Sequence, residues 1–260
     1  MALQLSLLIA QYSYYAPGNV EHGQAGMYDS WTLLGLGLLV LTGIIGAVVQ
    51  NRMQASMREY SAMPARLTGA QVARKMLDSY GLQDVQVTHV PGQLTDHYNP
   101  TNRTVNLSDV VYSQATVAAA AVAAHECGHA VQHAQAYPWL GLRSELVPLV
   151  NIGSRLGQIL LMVGLALVAM GSGTTVAWVG LALFACTTVF ALVTLPVEFD
   201  ASRRALAWLG RADDVSPVMH AQAGTALRWA AMTYVAAALS SIAMLVYYAL
   251  ILLSRGNSRR

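Results

Sequence analysis

The chain has 260 residues, of which 55% are hydrophobic and only 11% are charged. A soluble domain of this length cannot hide so much apolar surface from water, so the composition predicts a membrane protein. The net charge is only +2, and there is no basic stripe interleaved with aromatic residues, which argues against a nucleic-acid-binding protein.

Four apolar runs are candidates for membrane-spanning helices. Residues 31–49 contain no charged side chain, and about 19 residues at roughly 1.5 Å each match a hydrocarbon core of about 30 Å. Further runs lie at 156–170, with a start that extends back towards residue 146, at 175–195 and at 229–253. Residues 3–10 are too short to span and lack the features of a cleaved signal, so they are interpreted as a membrane-surface segment.

The sizeable polar region, residues 51–145, mixes helical and strand patterns. Apolar residues at helical spacing predict a helix over 67–80, with Thr68 as its cap. Residues 85–90 and 103–107 are predicted as two short strands joined by a turn-rich stretch, forming a β-hairpin or sheet. An alanine-rich helix is then predicted over about 114–135.

The positive charges are distributed unevenly between the two sides of the predicted membrane protein. Because basic residues favour the cytoplasmic side, both termini are predicted to lie outside. Three arginines lie in the C-terminal tail: Arg255, Arg259 and Arg260. Eleven basic residues lie in the two loops on the opposite side: Arg52, Arg58, Arg66, Arg74, Lys75, Arg103, Arg143, Arg203, Arg204, Arg211 and Arg228.

The alanine-rich helix contains the sequence HECGH at 125–129. His125 and His129 are four residues apart, so they share a helix face and can bind one zinc ion. Glu126 lies beside that face and suits a general base for the attacking water. Cys127 lies about 200° around the helix from His125 and is expected to face away and pack as an apolar residue. Neither it nor Cys186 suggests a disulfide.

A catalytic zinc ion usually has three protein ligands, so a third must come from elsewhere in the chain. His133 is near, but it lies on the same helix about 80° around from His125. Glu198 is the stronger candidate, because an ionisable group at a membrane boundary is usually functional. Pro196 suits the first turn of a new helix that would present Glu198.

Two features of the catalytic chemistry have several candidates. The first feature is the group that stabilises the oxyanion. His97 could do so, although a histidine in such a loop is more often simply exposed. Tyr98 and Arg203 are equally good candidates for this role. Residues 104–107 suit either an edge strand that pairs with an extended substrate or ordinary sheet structure.

These motifs resemble those of the bacterial membrane neutral zinc metallopeptidases. The resemblance runs from about Thr68 to the fourth span and rests on three stretches: HECGH followed by QHAQ at 125–135, LTDHY at 94–98, and LPVEFDASRR at 195–204. More distant relatives are the heat-shock membrane protease and the prenyl-protein protease, which share a glutamate third ligand.

The resemblance implies that Glu198 is the third ligand and that cleavage occurs on the cytoplasmic side or at the membrane boundary. In the distant relatives an aspartate stands four residues after this glutamate, where this chain has Ser202. A zinc-binding histidine normally donates its other ring N–H to a carboxylate or carbonyl. Asp200, Asp96 or a backbone carbonyl are the candidates for that support.

We therefore expect a mostly α integral membrane helical bundle of about four spans, with a small cytoplasmic zincin-like α+β part. The expected segments are an N-terminal extracytoplasmic segment (1–30), a first transmembrane helix (31–50), a cytoplasmic metallopeptidase part with the zinc helix (51–145), two further transmembrane helices (146–195), a cytoplasmic segment with the third ligand (196–228), a fourth transmembrane helix (229–253) and a tail (254–260).

The expected function is hydrolysis of peptide bonds by one catalytic Zn²⁺, in a multi-pass protein of the bacterial inner membrane with its active site facing the cytoplasm. The expected partners are the lipid bilayer and a protein or peptide substrate, with a homo-oligomer or a membrane protease complex also compatible. The alternative is a latent or non-catalytic zinc-binding scaffold, which the intact Glu126 disfavours. A transporter is disfavoured because no repeated or interrupted pair of spans is present.

Overall fold

The structure, a computed structural model, describes residues 30–257. The predicted surface segment at 3–10 lies outside this range. Within it, helices and strands follow in the order α1 (Ser30–Ser61), α2 (Gly69–Ser79), β1 (Gln86–Val90), β2 (His97–Asn99), β3 (Thr104–Ser108), α3 (Asp109–Ser113), α4 (Val117–Ala134), α5 (Pro138–Ala169), α6 (Thr175–Leu209) and α7 (Pro217–Asn257).

Four helices, α1, α5, α6 and α7, are long and apolar enough to cross a membrane. The prediction of a mostly helical membrane protein with about four spans is therefore confirmed. Each helix extends beyond the apolar run that identified it. For example, α1 has 32 residues, a length of about 48 Å against a hydrocarbon core of about 30 Å. The extra turns connect the spans to the polar part of the protein.

Pro196 does not begin a new helix, and that interpretation is wrong. Helix α6 continues through Pro196 from Thr175 to Leu209. Proline has no N–H for the carbonyl of Leu192 one turn earlier, but membrane helices tolerate such interruptions where neighbouring groups satisfy the freed backbone. Glu198 is therefore carried by a continuous long helix. The segment boundary at 146 likewise falls inside a helix, α5.

The four long helices pack side by side in a row. Helix α5 packs on α6, α6 on α7, and α7 on α1. The α5–α6 contact is especially close: a Cβ on Gly164 would lie 2.3 Å from the backbone nitrogen of Ala177, and a Cβ on Gly180 would lie 2.3 Å from that of Leu161. Small residues at such positions let membrane helices approach one another.

The polar part, called the head from here on, consists of α2, α3, α4 and a three-stranded sheet in the order β1-β3-β2. Strands β1 and β3 are parallel, whereas β2 is antiparallel to β3. The two predicted strands, β1 and β3, therefore form a sheet and not a hairpin, because they are parallel. The stretch between them that was predicted as a turn supplies the third strand, β2. Strand β3 is central, so its interpretation as a substrate-binding edge is also wrong. The edge strand beside α4 is β2.

Helix α4 lies at the centre of the head, and most of its side chains are buried. It packs against α2 and against the head-side ends of α6 and α7. Many of these side chains are alanines, which allow close approach between helices. The predicted cap of α2 is present: Thr68 forms a capping box with Gln71, each side chain bonding to the other residue's backbone. This packing brings the last turns of α6 against the helix that carries the two histidines.

Candidate metal centre

His125 and His129 of α4 and Glu198 of α6 meet where these two helices touch. One ligand-type atom from each residue lies within 4.8 Å of the others, and no other such trio occurs among residues 30–257. Nε2 of His125 lies 3.2 Å from Oε2 of Glu198, and Nε2 of His129 lies 3.7 Å from the same oxygen. The structure thus brings together the three side chains predicted as ligands, although Glu198 is distant in sequence.

The two separations that involve Glu198 suit a tetrahedral zinc ion. Ligand atoms at about 2.0–2.1 Å from one ion, at tetrahedral angles, lie roughly 3.3 Å apart. The distances of 3.2 and 3.7 Å are close to that value. Two imidazoles and one carboxylate form a donor set typical of catalytic zinc sites, which keep one further position open. The residues present therefore fit the metal that the motif implies.

The charge around the histidines also favours a cation. Glu198 is 2% exposed and Glu126 is 9% exposed, so both carboxyl groups are shielded from water. Burial disfavours a positive charge on His129, but hydrogen bonding to Glu198 and Gln132 and the negative charges of Glu126 and Glu198 outweigh it. The pKa of His129 consequently lies above its ordinary value. A positive charge is stabilised at this position, as a metal site requires.

Gln132 orients the ring of His129. Its side-chain amide nitrogen donates to the carbonyl of Val197 at 2.8 Å and to Oδ2 of Asp200 at 2.9 Å. Its amide oxygen is therefore left to accept from Nδ1–H of His129 at 3.0 Å. In the neutral ring, which is the form that binds a metal, this arrangement leaves Nε2 of His129 unprotonated and turned towards Glu198. Asp200 supports the histidine through Gln132 and does not touch it directly.

Ser202 orients the ring of His125. Its hydroxyl lies 3.1 Å from Nδ1 of His125, while Nε2 of the same ring faces Glu198. The serine that replaces the aspartate of the distant relatives therefore makes the supporting contact itself, as a neutral acceptor. Asp96 has another role, because its carboxylate accepts from the backbone N–H and the hydroxyl of Ser108.

Glu126 is held by the edge strand. The backbone N–H of Tyr98 donates to Oε2 of Glu126 at 3.0 Å, which ties β2 to the zinc helix beside the metal ligands. The Tyr98 hydroxyl lies 2.8 Å from Nδ1 of His133. Burial raises the pKa of Tyr98, so the hydroxyl keeps its proton while it shares a hydrogen bond with this ring nitrogen. His133 is thereby directed to the strand and is not part of the metal-ligand trio.

The remaining candidates bond to partners other than the three proposed ligands. Nδ1 of His97 bonds to the carbonyl of Thr95 at 2.7 Å, and its Nε2 faces the side-chain amide of Asn106 at 3.2 Å. With Nδ1 as donor, Nε2 has no N–H for an oxyanion. Arg203 pairs with Asp200 and is 77% exposed. Cys127 points to the carbonyl of Ala73 in the core, and burial raises the pKa of its thiol.

Three further residues shape the site and were not assigned from the sequence. Gln132 lies one turn after His129, so its helical spacing was a usable signal. Gly128 allows α4 to touch α6, which its place inside the motif did not reveal. Arg143 of α5 lies with its Nη1 3.6 Å from Oε1 of Glu198. No local pattern could have predicted this contact, because it depends on how α5 packs against α6.

Comparison with known proteins identifies the family of the chain. The model of the family described as "Putative neutral zinc metallopeptidase" matches residues 36–253. The chain is also 40% identical over 207 residues to the Bacillus subtilis (strain 168) protein called "Putative membrane protease YugP", an alignment that covers 79% of this chain and 90% of that protein. No solved structure gives a significant match.

Proposed function

The chain belongs to the neutral zinc metallopeptidase family, as its motifs predicted, and we propose that it is a membrane endopeptidase that cleaves protein or peptide substrates at the cytoplasmic membrane face. The single observation that carries the proposal is the meeting of His125, His129 and Glu198, with Glu126 beside them on the same helix. A structural zinc site has no need of such a base.

In this proposal His125 and His129 would hold zinc through Nε2, and Glu198 would hold it through Oε2, the atoms that face one another. When bound, zinc acts as a Lewis acid that polarises the scissile carbonyl and lowers the pKa of water. Gln132 and Ser202 hold the two imidazoles in the tautomer that presents Nε2. Two neutral imidazoles and one carboxylate leave the site with a net positive charge, which suits a carbonyl that develops negative charge.

Glu126 is the proposed general base and acid. The Tyr98 N–H holds Oε2 of its carboxylate, so the other oxygen is available to take a proton from the attacking water. Glu126 then delivers that proton to the nitrogen of the leaving amine. The Tyr98 contact also fixes the direction in which the carboxylate of Glu126 points.

The edge strand β2 is the proposed guide for the substrate. One side of β2 pairs with β3, and the other side faces the zinc helix through Tyr98. An extended peptide beside the part of this edge that Glu126 leaves free would form main-chain hydrogen bonds, as in other cases of strand addition. Such pairing would place a peptide bond close to Glu126 without requiring a particular side-chain sequence.

The membrane position of the site supports cleavage near the lipid boundary. Glu198 lies 23 residues after the start of α6 at Thr175, a distance of about 35 Å along the helix. That slightly exceeds a hydrocarbon core of about 30 Å. Together with the positive-inside tendency, this position favours a multi-pass protein of a bacterial inner membrane whose site faces the cytoplasm. Such a location suits a role in the quality control of membrane proteins.

The test combines metal content with cleavage. We expect about one zinc per chain in the purified wild type, loss of zinc in Glu198→Ala, and normal zinc in the matched control His133→Ala. Casein should be cleaved by the wild type, whereas Glu126→Gln should bind zinc without cleaving. Zinc retained by Glu198→Ala would contradict the third ligand. If the zinc-loaded wild type cleaves neither casein nor a membrane-protein substrate, the proposal of a peptidase would be contradicted and a zinc-binding scaffold favoured.

A further inference from the structure

The two carboxylate oxygens of Glu198 face different neighbours. Oε2 faces Nε2 of both histidines, whereas Oε1 lies 3.6 Å from Nη1 of Arg143 on α5. We propose that Arg143 is a positioning residue, which holds Oε1 so that Glu198 binds the metal through Oε2 alone. The proposal rests on the zinc site of the proposed function and adds a residue from a different transmembrane helix to it.

Burial is the first reason for this role. The side chain of Glu198 is 3% exposed, and an ionised carboxylate so far from water needs compensating charge. The nearby arginines Arg203 and Arg204 are engaged by Asp200. Among the arginines and lysines of the described residues, Arg143 alone forms an ion pair with Glu198.

Coordination geometry is the second reason. A carboxylate that bound through both oxygens would bring a fourth protein atom to the metal and crowd the open position of a catalytic site. An ion pair at Oε1 favours single-oxygen binding, because it keeps negative charge on that oxygen and turns it away from the histidines. Groups that hold the ligands of a metal in this way typically change metal affinity by about 10–100-fold when removed.

Glu198 lies where neighbouring long helices contact one another. Helix α6, which carries Glu198, packs against both α5 and α7. Arg143 approaches from α5. The position of the proposed third ligand is therefore linked to the packing of α5 against α6.

The experiment measures metal binding directly. Zinc affinity would be determined by competition with a chromogenic chelator for wild type, Arg143→Ala, Arg143→Lys and the control Arg211→Ala, which removes an exposed arginine in the turn after α6. We expect Arg143→Ala to weaken zinc binding about 10–100-fold. Arg143→Lys should restore most of the affinity, because a contact of 3.6 Å acts through charge more than through hydrogen-bond direction. Arg211→Ala should match the wild type.

Cobalt substitution provides a second measurement. Co²⁺-loaded Arg143→Ala should show a weaker visible absorption per cobalt than the wild type if Glu198 becomes bidentate and the coordination number rises. Wild-type zinc affinity together with a wild-type cobalt spectrum in Arg143→Ala would overturn the proposal, even if cleavage were lost, since Arg143 would then act on the substrate. Failure of Arg143→Lys to restore affinity in a folded protein would also overturn it.

These measurements separate this proposal from the proposed function. Wild type that binds zinc through Glu198 but cleaves no substrate would contradict the peptidase, while a zinc loss specific to Arg143→Ala would still support the positioning role. Conversely, cleavage by the wild type with unchanged metal binding in Arg143→Ala would support the peptidase and overturn the role of Arg143. Wild type without zinc affinity would overturn both.

Discussion

Gly128 of the zinc helix touches the backbone of Ala201 in α6. A Cβ on Gly128 would lie 2.5 Å from the carbonyl oxygen of Ala201, closer than real contacts allow. Gly128 lies between the two histidines in sequence, and Ala201 lies between Glu198 and Ser202. This one contact therefore sets the spacing of the helices where the three proposed ligands meet.

Replacing Gly128 with alanine should separate the two helices. We expect Gly128→Ala to lower the free energy of unfolding by about 1–3 kcal/mol, as overpacking commonly does, and to reduce zinc retention because Glu198 moves away from the histidines. Thermal denaturation and metal analysis would measure both effects. The control is Gly141→Ala in α5, where a Cβ meets no atom within 4 Å. Equal zinc retention by the two variants would refute the spacing role of Gly128.

Gln132 should affect zinc affinity although it is not one of the proposed ligands. Gln132→Ala leaves the Nδ1–H of His129 without its acceptor and removes a donor from the Val197 carbonyl and Asp200. Loss of such support typically weakens metal binding about 10–100-fold. Chelator competition would measure the change, with the exposed Gln54→Ala as control. A variant that binds zinc as tightly as Gln54→Ala would argue that another group orients His129.

Ser202 offers a test of the departure from the distant relatives. Ser202→Ala removes the acceptor for Nδ1–H of His125 and should weaken zinc binding, by about tenfold at the lower end of such effects. Ser202→Asp should instead strengthen it, because a carboxylate makes a charge-assisted hydrogen bond to the imidazole. The exposed Ser113→Ala serves as control. An identical loss of zinc in both Ser202 variants would show that the site requires a small side chain at this position.

The Tyr98–His133 contact should fasten the edge strand without contributing to metal binding. Tyr98→Phe keeps the backbone N–H that holds Glu126 and loses only the hydroxyl that bonds to His133. We expect a destabilisation of about 0.5–1.5 kcal/mol with unchanged zinc content. A double-mutant cycle with His133→Ala would isolate the pair, and additive effects would mean that the contact contributes nothing.

The part of the candidate site that lies on α4 could be predicted from local sequence. His125, Glu126 and His129 are placed by the 3.6-residue period of one helix, so their relative positions needed no knowledge of the fold. The same locality explains why Cys127 was correctly predicted to face away from the metal. The four spans were equally accessible, since their length and apolarity must match the membrane whatever the tertiary packing.

Predictions from local sequence were wrong where the secondary structure depends on contacts with other elements. Pro196 has no N–H and suits a helix start in isolation, but α6 is continuous through it and packs between α5 and α7. The LTDHY stretch looked like a turn because its edge-strand character exists only beside β3. A strand of three residues carries too short a pattern to be recognised without its partner.

The sequence by itself determined the membrane character, the zinc helix and the identity of the general-base candidate, because each depends on composition or on spacing within one helix. Only the tertiary structure decided how Glu198 faces the histidines, how Gln132 and Ser202 orient them, and how Arg143 reaches Oε1 from another span. These relationships join residues up to 77 positions apart. They depend on the close packing of α4, α5 and α6, which no local periodicity encodes.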